Sequence, residues 1–384
     1  MQPGAQAGSD TGRQLNIRSL DGVQMRAIDW LWTGWIPKGY ITIFAGESGA
    51  GKSTVLADVT ARVTTGAPWP GEPDTEKRRP ERVLWLGSED SIEEMTVPRL
   101  RACGAALGRV SEIQSVTHDG ARNTFSMQDD LAAVADHLGA ARESGEPFAM
   151  LVIDPVTSYL PGQRLRRVDL NDAGQLRSIL EPWLELAQRH KLAIVCVTHF
   201  AKDSARPILH RVLGSQAFAA TCRSLCAVVE PPSTDEDDEP DPFEKALLQV
   251  KVNLPEHPGG AWRFQTERVE VGTDPDSGVP IFATKPEWGE LDGVLTPKTA
   301  VGGKRGPKSD KAPAFGLWLS EKFAAMEPGT WVPIEQVKWH ALRDVGVSEK
   351  WWNKHSSDFL EKANPSGTWM CRLASAPNNN GEGG

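Results

Sequence analysis

Gly46-Glu47-Ser48-Gly49-Ala50-Gly51-Lys52-Ser53-Thr54 decides the reading of this chain, because the sequence on either side supplies what such a stretch needs. Before it, Tyr40-Ile-Thr-Ile-Phe-Ala45 has the length and β-branching of a buried strand. After it, Val55 to Val63 repeats apolar residues at helical spacing. Strand, glycine loop and helix in that order predict backbone N–H groups and a helix N-terminus turned towards an anion. The spacing G-x-x-x-x-G-K-[ST] makes that anion a nucleoside triphosphate, with Lys52 on the β- and γ-phosphates and the Ser53 hydroxyl on Mg²⁺. All nine residues from Gly46 to Thr54 are candidates for the ATP contact.

The chain has 384 residues, enough for one large α/β domain and a smaller one. No apolar run approaches the roughly 20 residues of a membrane span. Met1 to Gly12 is polar and lacks a signal-peptide pattern. Five scattered cysteines, with Cys222 and Cys226 a helix turn apart and no second Cys/His pair, suit reduced core thiols better than zinc. These features predict a cytoplasmic protein with no membrane partner. A net charge of −9 argues against nucleic-acid binding by the whole surface, but leaves room for a local basic channel.

Apolar runs at 41–45, 83–87, 149–153, 193–198 and 225–229 alternate with helical patterns at 92–107, 127–143 and 170–190. That alternation predicts a mostly parallel sheet with helices on both faces. Trp30, Trp32 and Trp35 suggest a strand and turn over the edge of this fold, and 234–242 reads as an acidic hairpin tip. Residues 247–252 and 261–271 read as late antiparallel strands, with Gly259-Gly260 in the turn. The expected organisation is a disordered stretch at 1–15, a nucleotide-binding domain at 16–290, a basic Gly/Pro-rich linker at 291–313, a small unit at 314–374 and a tail at 375–384. In the small unit, helices at 314–326, 333–345 and 349–363, the last capped by Ser348, precede a strand at 368–373. This is the order of a winged helix-turn-helix.

Met150-Leu-Val-Ile-Asp154 reads as a core strand delivering a carboxylate to Mg²⁺. Pro155 follows it, so the carboxylate that orients the attacking water must come from elsewhere. Glu89, at the end of Val83-Leu-Trp-Leu-Gly-Ser-Glu89-Asp90, is the candidate base, whereas Asp90 or Ser91 suits a helix cap. Thr198-His199 ends another strand, where a polar side chain can sense the γ-phosphate. Arginines at 164, 166 and 167, and the stretch from Lys202 through Arg206 to Arg211, lie on strand-end loops suited to tracking a phosphate backbone. Arg164, Arg166, Arg167, Lys202 and Arg206 are the candidates there. On the last helix, Lys350, Asn353 and Lys354 could face DNA, while Trp351 or Trp352 belongs in the core.

The ordered series Trp32, Ile36-Pro-Lys-Gly39, the glycine loop, Leu86-Gly-Ser-Glu89-Asp90, Arg99-Leu-Arg-Ala-Cys-Gly104, Ile153-Asp154-Pro155, Thr198-His199-Phe-Ala-Lys202 and Arg211-Val-Leu-Gly214-Ser215 with Arg223 resembles RecA-like ATPases of the RepA type. These are hexameric replicative helicases of plasmids and phages. The resemblance spans about residues 28–270. It implies a RecA-like core, Mg²⁺ and ATP as cofactors, Glu89 as catalytic glutamate, Asp154 on the Mg²⁺ side and His199 as γ-phosphate sensor. Arg223, or else Arg211, would be a finger reaching a neighbouring subunit's ATP, with Lys251 and Asn253 facing the same phosphates. Leu213 stands where the plasmid helicases carry a nearby arginine, a departure that touches the finger assignment. The expected partners are further copies of the chain in a hexamer, single-stranded DNA, and a replication or loading partner. The expected function is a DNA helicase or translocase of a mobile element; the alternative is an ATP-switched DNA-binding regulator or recombination mediator.

Overall fold

A computed structural model describes residues 17–87, 90–118, 120–161, 168–169, 172–201, 206–212, 218, 221–232, 243–255, 259–300, 311–324, 326–327, 329–345, 347, 349–365 and 367–373. The calls on Glu89, on Arg164, Arg166, Arg167 and Lys202, on the acidic stretch at 234–242, on Leu213 and on Ser348 lie outside them, as do the side chains of Lys350, Trp351 and Lys354.

Nine strands form the main sheet in the order β13-β12-β11-β10-β3-β9-β8-β4-β5. They are β3 (Ile41–Gly46), β4 (Arg82–Gly87), β5 (Val110–Glu112), β8 (Phe148–Asp154), β9 (Ala193–His199), β10 (Ser224–Val229), β11 (Glu244–Val252), β12 (Ala261–Thr273) and β13 (Pro280–Asp292). The six from β10 to β5 in that order run parallel, and β11, β12 and β13 add antiparallel on the β10 side. A mostly parallel α/β sheet is therefore what the chain forms. β1 (Trp30–Trp32) and β2 (Ile36–Pro37) make a separate hairpin, as do β6 (Val116–His118) and β7 (Ala121–Asn123).

Alternation along β3 explains the layers. Ile41, Ile43 and Ala45 pack on one face with Leu176, Leu180 and Trp183 of α4 (Ala173–His190) and with Val134 and Leu138 of α3 (Leu131–Glu143). Phe44 packs on the other with Val55, Leu56, Val59 and Val63 of α1 (Lys52–Thr65) and with Leu100 of α2 (Val97–Ala102). Burial on both faces is the reason these strands read as continuous apolar runs. The tryptophans form their own cluster: Trp32 stacks on Trp69 at 5.0 Å and on Trp35 at 5.3 Å, and meets the edge of Trp288.

Several expectations need correction. The helix at 92–107 is a π-helical turn at Ile92–Thr96 followed by the short α2, with Pro98 at its start. The helices expected from 127 and 170 begin at Leu131 and Ala173. Cys222 and Cys226 do not share a helix, because Cys226 lies within β10; both are buried free thiols. Burial pushes both thiols up to about 12. Strand β13 runs two residues past position 290, and Leu295 beyond it is buried in the main core.

The C-terminal residues form α6 (Lys311–Ala324), β14 (Val332–Pro333), α7 (Ile334–Asp344), α8 (Glu349–His355), β15 (Leu360–Ala363) and β16 (Met370–Leu373), the strands lying in the order β14-β16-β15. The helix expected across 349–363 ends at His355, because Leu360–Ala363 pairs with Met370–Leu373 instead. Phe315, Leu319, Val337, Ala341, Trp352, Leu360 and Cys371 fill the unit's own core. Trp352 is thus a core residue.

Candidate active site

The carboxyl ends of the parallel strands carry the polar residues of the site. Register alone aligns them: Gly46 pairs with His199, and Gly87 pairs with Asp154. Open α/β sheets bind ligands at this edge.

The loop from Gly46 to Gly51 makes the strand-to-helix turn. Gly49 and Gly51 adopt φ of +78° and +94°, the left-handed region open to glycine, and Gly51 is the N-cap of α1. At Gly46 the constraint is contact, because a Cβ there would sit 2.6 Å from the Val228 carbonyl oxygen. Ala50 N–H donates back to the Glu47 carbonyl at 3.2 Å, closing the turn.

Lys52 is 6% exposed, and its ammonium is held inside the loop. It donates to the carbonyls of Gly46 at 3.1 Å and Glu47 at 2.7 Å, and its Nζ lies 3.4 Å from His199 Nδ1. Ser53 Oγ donates to Asp154 Oδ2 at 3.0 Å. The motif's lysine, the first helical hydroxyl, the strand-end acid and the strand-end histidine therefore meet around one loop. Thr54 stands apart from them: it is buried, and its hydroxyl lies 3.3 Å from that of Thr284 on β13. Next to the Glu89 position, Asp90 pairs with the Arg99 guanidinium, and Ser91 accepts from Glu94 N–H at 3.3 Å as the cap of the π-turn.

This donor set fits Mg²⁺·ATP. A hydroxyl and a carboxylate in contact are hard oxygen ligands for Mg²⁺, which takes few protein ligands and fills the rest from phosphates and water. A buried ammonium bonded to backbone carbonyls sits beside N–H groups that open a helix, a setting built for polyphosphate.

A family model described as an AAA domain matches residues 12–205, just over half of the chain. The chain belongs to the AAA domain family. No curated protein matches it. The AAA domain match spans the glycine loop, Asp154 and His199, so it marks the chain as an ATPase of the phosphate-loop class that takes nucleotide, typically with Mg²⁺. It ends before Arg211, Arg223, Lys251 and Asn253, whose placement rests on geometry.

Those four residues divide into two groups. Arg223 immediately precedes β10; its N–H donates to the Ile41 carbonyl and its carbonyl accepts from Asn253 N–H at 3.0 Å. Lys251 pairs with Leu225. Arg223, Lys251 and Asn253 therefore cluster where β3 begins, while the glycine loop lies where β3 ends, about 17 Å away at strand rise. Arg211 belongs to the opposite group. It closes the short α5 (Ile208–Arg211) and pairs with Glu47 of its own glycine loop at 2.5 Å. Arg206 is exposed just before α5, and Asn353 is exposed on α8.

Sequence reasoning missed one buried network beside the site. Asp58, nearly two turns into α1, accepts from Arg62 Nε at 2.7 Å and from Trp288 Nε1 at 2.8 Å. Burial holds its carboxyl above the usual range although Arg62 pulls it down. An aspartate at i and an arginine at i+4 was readable as a helical pair, but the third member lies 230 residues on, in β13. Among the described residues no group of three or more His, Cys, Asp and Glu side chains could hold a metal without phosphate, and no helix is long and apolar enough to cross a membrane.

Proposed function

We propose that the chain is a ring-forming, Mg·ATP-hydrolysing motor that moves on single-stranded DNA, with the role of a plasmid- or phage-type replicative helicase. One observation carries this reading. Arg223, Lys251 and Asn253 share the edge of the sheet remote from their own glycine loop, beyond the reach of an extended arginine side chain. At that edge the cations of Arg223 and Lys251 can meet only a nucleotide held by another copy. A contact between one copy's loop edge and the next copy's opposite edge is head-to-tail, and such interfaces close into rings or extend as filaments.

Within one copy, Lys52 neutralises phosphate charge, Ser53 and Asp154 hold the cation, and His199, 3.4 Å from Lys52, registers what occupies the lysine. Glu89 accepts a proton from the attacking water. Bound Mg²⁺·ATP supplies the labile phosphoanhydride. In sequence the strand ending in His199 is followed by Lys202 and Arg206, and that order supports a relay from the phosphates to cations suited to a nucleic-acid backbone. The C-terminal order of helix, strand, two helices and two strands, with β16 between β14 and β15, supports a winged helix. That module also suits the regulator reading, in which nucleotide controls assembly and α8 reads duplex DNA.

ATP turnover measured with and without single-stranded DNA, beside a native-mass measurement, tests the proposal. DNA stimulation, a discrete oligomer and loss of turnover in Glu89→Gln are expected. Turnover indifferent to DNA, with duplex specificity that survives loss of hydrolysis but not loss of residues 314–373, would favour the regulator. Mixing Arg223→Ala with Lys52→Ala chains should restore part of the activity, since some interfaces then join an intact loop to an intact arginine.

A further inference from the structure

Glu47 is the most exposed charged residue of the glycine loop, with a side chain 68% exposed, and its partner is largely buried. Arg211 Nη2 donates to Glu47 Oε1 at 2.5 Å across 164 positions of sequence, while the Arg211 side chain is 11% exposed. The guanidinium also lies over the Phe200 ring at 4.6 Å, and its Nε is buried without an acceptor among the described residues. Backbone bonds fix the same place. Arg211 O accepts from Ala201 N–H at 2.6 Å, Phe200 bridges to Val212, and Phe200 N–H donates to the Gly46 carbonyl at 3.2 Å. Both stems of the 201–211 segment are thereby joined to each other and to the start of the glycine loop.

A finger serving a neighbouring chain must be free to extend. A guanidinium stacked, desolvated and ion-paired to its own loop is not. We infer that Arg211 acts in cis as a positioning residue for the triphosphate, by holding Glu47. The effect passes through one residue. The Glu47 carbonyl accepts from both Lys52 Nζ at 2.7 Å and Ala50 N–H at 3.2 Å, so fixing the Glu47 side chain fixes the carbonyl that aims the lysine and closes the turn. The stacked aromatic restrains the guanidinium before it bonds, which lowers the entropy lost in making the pair. This inference rests on the triphosphate reading of the loop.

The test is binding of a non-hydrolysable Mg·ATP analogue to the full chain, with steady-state turnover alongside, for wild type, Glu47→Gln, Arg211→Ala and the double variant. Each single change is expected to weaken binding on the order of fivefold, the value of one partly exposed charge pair. The double variant should match either single, because both remove one interaction. Saturated turnover should change less than affinity. Glu47→Gln keeps an amide oxygen that can accept from Arg211, so it should lower the unfolding midpoint less than Arg211→Ala does, and binding measured well below that midpoint keeps the test standing even where Arg211→Ala folds poorly. Additive effects, unchanged binding in Glu47→Gln, or a fall in saturated turnover at constant affinity in Arg211→Ala each overturn the inference; the last is the signature of a finger. A wild-type chain that binds no triphosphate overturns the loop reading and the inference together, whereas wild-type binding that neither variant weakens overturns the inference alone.

Discussion

Replacing Gly46 by alanine should damage this protein for a reason distinct from any other glycine in the loop. The added Cβ would meet the Val228 carbonyl oxygen at 2.6 Å, and that oxygen belongs to the backbone of β10, paired with β3 and buried throughout. Neither strand has a flexible side chain to move aside, so the ladder itself must open. Overpacking a closed site of this kind costs about 1–3 kcal/mol. For a domain of this size each kcal/mol lowers the melting midpoint by about 2–4 °C, so a fall of about 4–8 °C follows from the middle of that range. Function suffers as well, because the Gly46 carbonyl accepts from both Lys52 Nζ and Phe200 N–H. Gly49→Ala is the control. It has open space for a Cβ but a φ of +78°, so its cost is local backbone strain in an exposed turn. Differential scanning calorimetry with amide hydrogen exchange separates the two. Gly46→Ala should accelerate exchange along 224–228 and weaken ATP binding, while Gly49→Ala leaves β10 protected. A Gly46→Ala protein melting within about 1 °C of wild type, with unchanged exchange in β10, would refute the reasoning.

Asp58 supplies a pH test. Burial holds its folded carboxyl above the ordinary value of 3.8, so the native state keeps a proton that the unfolded chain has released, and stability falls as pH rises from about 3.8 through the folded value. Asp58→Asn lacks this dependence, so denaturant titrations should show its stability relative to wild type improving as pH rises above about 3.8; a difference constant with pH refutes the assignment. Burial also pushes the thiols of Cys103, Cys222 and Cys226 up to about 12. Iodoacetamide at pH 8 should therefore label them at least about a hundredfold more slowly in the native chain than after unfolding, and rapid native labelling read by mass spectrometry would contradict their environment.

The glycine loop was legible in the sequence because everything it needs lies within about 25 consecutive residues. Asp154 and His199 were legible for a related reason: a strand buried on both faces is a conspicuous apolar run, and its first polar residue marks the edge where ligands bind. Strand β13 was not legible. Pro280, Pro286 and Gly289 break its pattern, and an edge strand tolerates all three while exposing one face. The Glu47–Arg211 pair and the Trp288 bond to Asp58 span 164 and 230 positions, and no local periodicity records such pairings. Arg211 shows the cost. Read in sequence it was a second possible finger, whereas the fold gives its charge to its own loop.

If the site is shared, its behaviour on dilution follows from where its halves lie. The loop edge holds Lys52, Ser53, Asp154 and His199, and the opposite edge holds Arg223, Lys251 and Asn253. A chain alone would keep the first group intact and so retain nucleotide affinity. It would lack the charge that stabilises the transition state, a contribution of about 10³–10⁵ in turnover where an arginine is supplied in trans. Turnover per chain should therefore fall as the protein is diluted through its assembly constant, while ATP binding per chain stays nearly level. Arg223→Ala should flatten the curve at the low value, because its assembled and separated states differ little in charge at the phosphates. Turnover per chain that is constant over dilution, with mass measurements showing that the assembly has come apart, would mean one chain holds a complete site, and the ring would lose its chemical purpose.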